Sequence, residues 1–565
     1  MERPELLAGE SRCMTGGWAV MLLWLAVGTG FAQGGPAKTD VPRVSYRFHH
    51  LHFVGGGFIT GILFHPGVRG LAYCRTDIGG AYRWDEGAHR WTPLSEWISM
   101  QDANLIGVES MAVDAAHPDD LYLAAGTYTH PKSPNGALLR SHDRGNSFET
   151  IALPFKLGAN EEGRFAGERL VLDPAHPGTL YLGTRLHGLW RSTDGGTTWA
   201  PVSSFAGHAN NGVGITFVLP GPKKDGTPGA VYVGVSTAED NLFVSEDGGA
   251  GWRVVNGAPR GMLPNHAAID SGGAMYLTYG NKPGPNGMTA GAVWRRSKEG
   301  AWKDVTPENA GAGGGYGGLA LDREREGTVV VSTIDRWKPG DTLFHSVDGG
   351  RHWVSLREKA KMDASASPWL RNESGVVSMG HWMGAVAIDP FDSDHMMYGT
   401  GETIWATHDA RKADHGRATQ WVVGAEGIEE TAVLSLTSPA SGAQLFSGLG
   451  DIGCFRSDDV AGAAAPVVLG PPRLSNCDSV AGGPAGDGPC RDDGAGMDGG
   501  EPWWLFGGRR EDVEALCGRT GGSGEGWACL LFCGWWDAGV DDNGGCVRIE
   551  EQWAELAEAG GGERS

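Results

Sequence analysis

Short alternating runs of apolar and polar residues recur along the chain, in pairs separated by turn residues. Examples are Met111-Ala-Val-Asp114 with Leu121-Tyr-Leu, Leu170-Val-Leu-Asp173 with Leu180-Tyr-Leu, Leu319-Ala-Leu-Asp322 with Val329-Val-Val, and Val386-Ala-Ile-Asp389 with Met397-Tyr-Gly. Alternation of period two over so few residues predicts paired antiparallel strands. Each pair precedes a second pattern, aromatic/Leu-x-Ser-x-Asp-x-Gly-x-x-Trp/Phe, present at 139–148, 190–199, 243–252 and 344–353. Degenerate copies run Tyr82 to Trp91, Trp294 to Trp302 and Trp405 to Trp421. The closing aromatics, at 91, 148, 199, 252, 302, 353 and 421, recur every 50–68 residues. Two strands before the Ser-x-Asp-x-Gly turn and two flanking it give four per unit. Four strands repeated seven times predict an all-β chain, a seven-bladed β-propeller with Asp-box turns. In those turns Asp accepts backbone N–H groups and Gly takes the positive-φ position. Asp143, Asp194, Asp247 and Asp348 are therefore read as structural, since a turn on every blade cannot converge on one site.

One stretch has a distant echo. Arg-Thr-Asp-Ile-Gly-Gly at 75–80 is matched by Leu-Gly-Asp-Ile-Gly-Cys at 449–454, and their lead-ins, from 61 and from 434, also correspond. The two aspartates, Asp77 and Asp451, stand 374 residues apart, close to seven repeats. Residues 426–460 therefore open an eighth unit, the first blade of an incomplete second propeller. Beyond 460 the pattern fades. The stretch 461–565 lacks Lys, His and Tyr and holds six cysteines, and it is read as a disordered tail or one translated out of frame. The full division is 1–32 signal peptide, 33–45 linker, 46–425 first propeller, 426–460 first blade of the second, and 461–565 tail.

Composition narrows the chemistry. A net charge of −22 and the absence of any basic, aromatic-interleaved patch exclude a nucleic-acid partner. The apolar run 18–27, followed by Gly-Phe-Ala at 30–32, is too short to span a bilayer and reads as a secretory signal. The mature protein is expected to be secreted or periplasmic, without a membrane partner, and monomeric. Cys74 is the only cysteine between 33 and 453, so no disulfide framework is expected in the main body. No His/Cys cluster has metal-ligand spacing and no phosphate loop follows a strand, so neither metal nor cofactor is expected.

Longer motifs lie outside the repeat: Gly-Gly-Gly-Phe-Ile-Thr-Gly at 55–61 with 75–85, Leu-Ile-Gly-Val-Glu-Ser at 105–110, Gly-Glu-Arg-Leu at 167–170, Arg-Trp-Lys-Pro-Gly-Asp-Thr at 336–342 and Gly-Ile-Glu-Glu-Thr-Ala-Val at 427–433. From about 45 to 459 the chain resembles the xyloglucanases of glycoside hydrolase family 74. The resemblance implies tandem seven-bladed propellers with a cleft between them, and inverting hydrolysis of β-1,4-glucan backbones decorated with xylose. It makes Asp77 the general base and Asp451 the general acid. The acid is then expected to have a raised pKa from burial, and the base a lower one from polar neighbours. Cys454 departs from the glycine usual in the family, and marks where the sequence is expected to go astray.

Xyloglucan or a related β-glucan would stack on aromatic faces. Candidates off the repeat positions are Trp97, Tyr128, Trp337 and Trp382. His65, His266 and His381 could line a cleft, although satisfied loop histidines are the plainer account. Two other readings compete: a non-catalytic glycan-binding propeller, and a sialidase-like Asp-box hydrolase. The second needs an arginine cluster and a Tyr nucleophile that the sequence does not place.

Overall fold

A computed structural model describes residues 50–222, 229–307, 313–439, 442–462, 465–469, 476–477, 479–482 and 503–506. The signal peptide, the linker and most of the tail expected from sequence lie outside these residues. The described chain is nearly all β, with only three short 3-10 turns among its helical elements.

The first sheet consists of β1 (Ile59–Phe64), β2 (Ala72–Thr76), β3 (Ala81–Asp85) and β4 (Arg90–Pro93), paired antiparallel in chain order. Five further four-stranded sheets follow in the same order, beginning at Val108, Leu170, Ile215, Leu263 and Gly315. The seventh departs from the expected four strands. Ala360–Asp363 pairs parallel to Thr419–Val423 and adds a fifth. That extra strand lies within the longest repeat interval, between Trp353 and Trp421.

Each sheet buries its apolar faces against the next. Leu71, Tyr73 and Ala81 pack with Met111, Leu121 and Leu139, and the arrangement repeats along the chain. The series closes on itself: Ile59, Cys74, Tyr82 and Trp91 of the first sheet share a cluster with Met397, Ile404 and Ala406 of the seventh. Trp91 and Trp421 are completely buried, each contributing about 1.5–3 kcal/mol or more by removal from water.

The turns follow the chemistry that their residues dictate. Ser141 Oγ accepts from Gly145 N at 2.7 Å, while the Asp143 carboxylate accepts from Ser147 N at 2.9 Å. Ser192, Ser245 and Ser346 receive Gly196, Gly249 and Gly350 in the same way. Hydrogen bonds from Ser147 and Thr198 hold the Asp143 and Asp194 carboxyls down at about 2.

The eighth sheet extends past the boundary expected at 460. Val433–Thr437, Leu445–Leu449 and Gly453–Ser457 pair in order, and Val467–Val468 adds a fourth strand from the stretch assigned to the tail. Cys454, expected to mark where the sequence goes astray, is instead bonded to Cys477 within an apolar cluster containing Phe446 and Leu469. A further strand pair joins Ser479–Gly482 to Trp503–Phe506.

Candidate active site

Asp77 sits in the turn between β2 and β3. Thr76 Oγ1 accepts from Gly79 N at 2.8 Å, and Gly80 takes φ +93° with no room for a side chain against Ser95. The turn thus closes tightly and carries Asp77 at 6% exposure. Arg164 Nε donates to Asp77 Oδ2 at 2.9 Å. The Arg164 guanidinium also lies 5.2 Å from the Phe58 ring centre and 5.6 Å from that of Trp382.

Trp382 is held from behind. Its backbone N–H donates to Asp341 Oδ2 at 2.9 Å, and Asp341 Oδ1 accepts from the Thr333 hydroxyl and the Arg336 backbone amide. His381 lies edge-on to Trp382 at 5.6 Å and packs at 5.0 Å, tilted by 30°, against Trp337, which is 61% exposed. Asp77, Arg164, Trp382, His381 and Trp337 therefore form one continuous row. Tyr128 is exposed, and its hydroxyl accepts from Asn160. Trp97 is exposed, but stacks on Phe148 at 6.1 Å. His65 is a satisfied loop histidine bonded to the Asp114 carbonyl, whereas His266, expected in a loop, lies within the strand Leu263–Ile269 and bonds the Phe165 carbonyl.

Asp451 holds the equivalent turn of the eighth sheet, between Leu445–Leu449 and Gly453–Ser457. It is exposed, adopts φ +67°, and donates its amide to Asn476 Oδ1 at 2.7 Å. The segment 426–432 touches both turns. The Glu430 side chain packs against Gly79, and the Ala432 carbonyl accepts from Gly450 N at 2.8 Å. The same segment runs beside 52–56 at an offset equal to that between the aspartates: His52 binds Glu426, and Gly55 bridges Glu429 in parallel. Residues equivalent by repeat thus meet, and the two turns share one strap.

Electrostatics at Asp77 differ from the sequence expectation. Burial raises its carboxyl above the ordinary value despite the opposing Arg164 charge, so the expected base is the elevated group. A higher pKa makes it a stronger base while it stays ionised. Glu429 is pushed up to about 7, by burial above all, although the Val54 and Phe53 amides bind it. Glu430 is driven well above the carboxylate range by burial and then by the Asp77 charge. The Thr76 hydroxyl and the Ile78 and Gly79 amides oppose this without reaching hydrogen-bond geometry. A cavity of about 570 Å³ opens between this strap and the first sheet, lined by Ile78, Gly79, Tyr82, Arg90, Glu429 and Glu430 among others.

Arg164 and Glu430 were not singled out by sequence reasoning. Glu430 lay in a quoted motif without a role, and the paired glycines at 79 and 80 were the available sign of close approach. Three buried arginines do gather, as a sialidase would require, but they are committed. Arg75 binds Glu168, Arg185 binds Glu109, and Arg169 pairs with Glu109 and the Val213 and Ile215 carbonyls. Asp114, His117 and Asp120 also converge at the surface, in a turn where Asp114 accepts the Ala116 and His117 amides.

No family model matches the chain. A xyloglucanase from Paenibacillus sp is 40% identical over 480 residues, covering 78% of this chain and 47% of the relative. A probable oligoxyloglucan-reducing end-specific xyloglucanase from Neosartorya fischeri is 36% identical over 566 residues, covering 86% and 68%. The crystal structure of the GH74 xyloglucanase from Xanthomonas campestris matches with a TM-score of 0.72 at 46% identity, over 77% of this chain and 64% of that one. The GH74 enzyme of Niastella koreensis matches with a TM-score of 0.69 at 30% identity, over 76% and 63%. The chain spans about half to two thirds of the length of the curated relatives it matches.

Proposed function

The chain belongs to glycoside hydrolase family 74, and from that membership we propose that it cleaves the β-1,4-glucan backbone of xyloglucan with inversion. Asp77 acts as the general base and Asp451 as the general acid. The carrying observation is that the two aspartates occupy the same turn of two sheets bound together by one strap.

In this reading Asp451, exposed at its turn, protonates the departing glycosidic oxygen. Asp77 takes a proton from the water that attacks the opposite face of the sugar, a geometry that sets the carboxyls about 6.5–9.5 Å apart. Arg164 orients the Asp77 carboxylate and keeps it ionised. Trp337 and Trp382 offer ring faces to the glucan, with Tyr128 and Trp97 as further platforms. The seven sheets to Val423 are read as blades of one propeller, and the eighth as the first blade of a second. Export under the 1–32 signal and a monomeric state complete the reading.

Reducing-sugar release from tamarind xyloglucan tests it. Wild-type chain should release sugar, and Asp77→Ala and Asp451→Ala should each abolish release. Undiminished turnover in either variant would remove that residue's role. Binding without release by the wild type would instead favour the non-catalytic glycan-binding scaffold.

A further inference from the structure

One buried acid next to the site has no part in that mechanism. Glu430 is 5% exposed, and its amide donates to the Gly55 carbonyl. Its carboxyl fills a slot that exists only because two neighbours lack side chains. A Cβ on Gly57 would stand 2.3 Å from Glu430 Cδ, and one on Gly79 would stand 2.5 Å from it. Neither carboxyl oxygen has a hydrogen-bond partner among the described residues.

The groups facing Glu430 are Asp77 in the turn after β2, Cys74 and Thr76 of β2 and Tyr82 of β3. Glu429 adjoins it on its own segment. None is a cation. Arg164 gives its Nε to Asp77, and His52 binds Glu426. An ionised carboxylate here would lose its hydration beside a second anion, with the Thr76 hydroxyl and the Ile78 and Gly79 amides near it but none at hydrogen-bond geometry.

We propose that Glu430 carries a proton in the folded protein and forms with Asp77 a dyad holding a single negative charge, which Arg164 fixes on Asp77. Burial and the Asp77 charge both act in that direction. The inference rests on the reading of Asp77 as the base. Glu430 is then a positioning residue that never touches substrate. While it stays neutral, Asp77 begins each turnover as the dyad's one anion. Were it ionised, its field would favour protonated Asp77, a base already spent.

The test is the pH dependence of unfolding for the full chain, wild type against Glu430→Gln. In the unfolded chain Glu430 releases its proton near pH 4.3 or so, whereas the fold retains it (unperturbed glutamate titrates at about 4.3). From there upward, the variant's folding constant should gain on the wild type's by about tenfold per pH unit, until the folded Glu430 titrates. A ratio that stays flat with pH overturns the proposal. Glu430→Met, also neutral, should show the same pH dependence whatever its offset, so one folded variant suffices. In an Asp77→Asn background the gain should stop at a lower pH; identical gains in both backgrounds overturn the dyad. These readouts need no turnover. Failed hydrolysis leaves the dyad standing, and a flat ratio leaves hydrolysis untouched.

Discussion

Replacing Arg164 by Met keeps most of the side chain's bulk and removes the one charge bound to Asp77. Their side chains are 13% and 9% exposed, so bulk water screens the pair only weakly. At a charge separation of about 4 Å and an effective dielectric of about 20, the attraction is about 4 kcal/mol before desolvation is subtracted. Measured effects of an Arg beside an Asp are smaller, about 1–3 pKa units, or roughly 1.4–4 kcal/mol. The Asp77 carboxyl is already raised by burial, so loss of Arg164 should move it further up by that amount. As a base Asp77 works ionised, and activity is lost as pH falls through its pKa. The acidic limb of the kcat/KM profile on xyloglucan oligosaccharides should therefore shift to higher pH by about 1–3 units in Arg164→Met. Stability moves in the matching sense. A carboxyl whose folded pKa exceeds its unfolded value favours the fold at low pH and weakens it as pH rises through that window. The variant widens the window. An acidic limb that stays in place, with kcat/KM lowered evenly at every pH, would refute the electrostatic role and leave Arg164 as a packing contact over Phe58 and Trp382.

Trp337→Ala should leave the melting transition nearly unchanged, within about 0.5 kcal/mol, because the ring is largely exposed. It should raise KM for xyloglucan by a few fold, as expected from loss of an aromatic contact of about 0.5–1.5 kcal/mol; an unchanged KM would remove Trp337 from the platform row. The Cys454–Cys477 bond spans 23 residues of the eighth sheet and its flank. Chain entropy puts its contribution near 3 kcal/mol, so Cys454→Ser with Cys477→Ser should speed amide exchange in Leu445–Leu449 and Gly453–Ser457 while sparing the first sheet. Equal exchange in both sheets would contradict this.

Local patterns carried the sheets. Alternation over four or five residues fixes which face of a strand is buried, and the Ser-x-Asp-x-Gly turn satisfies its own backbone within ten residues. The echo at Asp451 was legible for the same reason, as one repeat unit written twice. What the sequence did not disclose depends on closure of the chain upon itself. Arg164 reaches Asp77 across 87 residues, and Glu430 enters the slot beside Gly79 only because the strap meets the first sheet. No periodicity encodes either meeting. Ala360–Asp363 escaped because a parallel fifth strand needs no turn signal. Cys454 looked like an error for want of its partner, since Cys477 stands in a stretch with little alternation around it. The elevated Asp77 carboxyl was missed because a motif shows neighbours in sequence, whereas burial is decided by neighbours in space.

The anomeric form of the newly released reducing end, followed by proton NMR in the first minutes of xyloglucan cleavage, tests the central claim directly. Water activated by Asp77 on the face opposite the bond that Asp451 protonates must yield the α-anomer first, with the β-anomer appearing only by mutarotation. A product that forms as the β-anomer would mean two displacements through a covalent intermediate, and would contradict the base and acid roles given to these two residues.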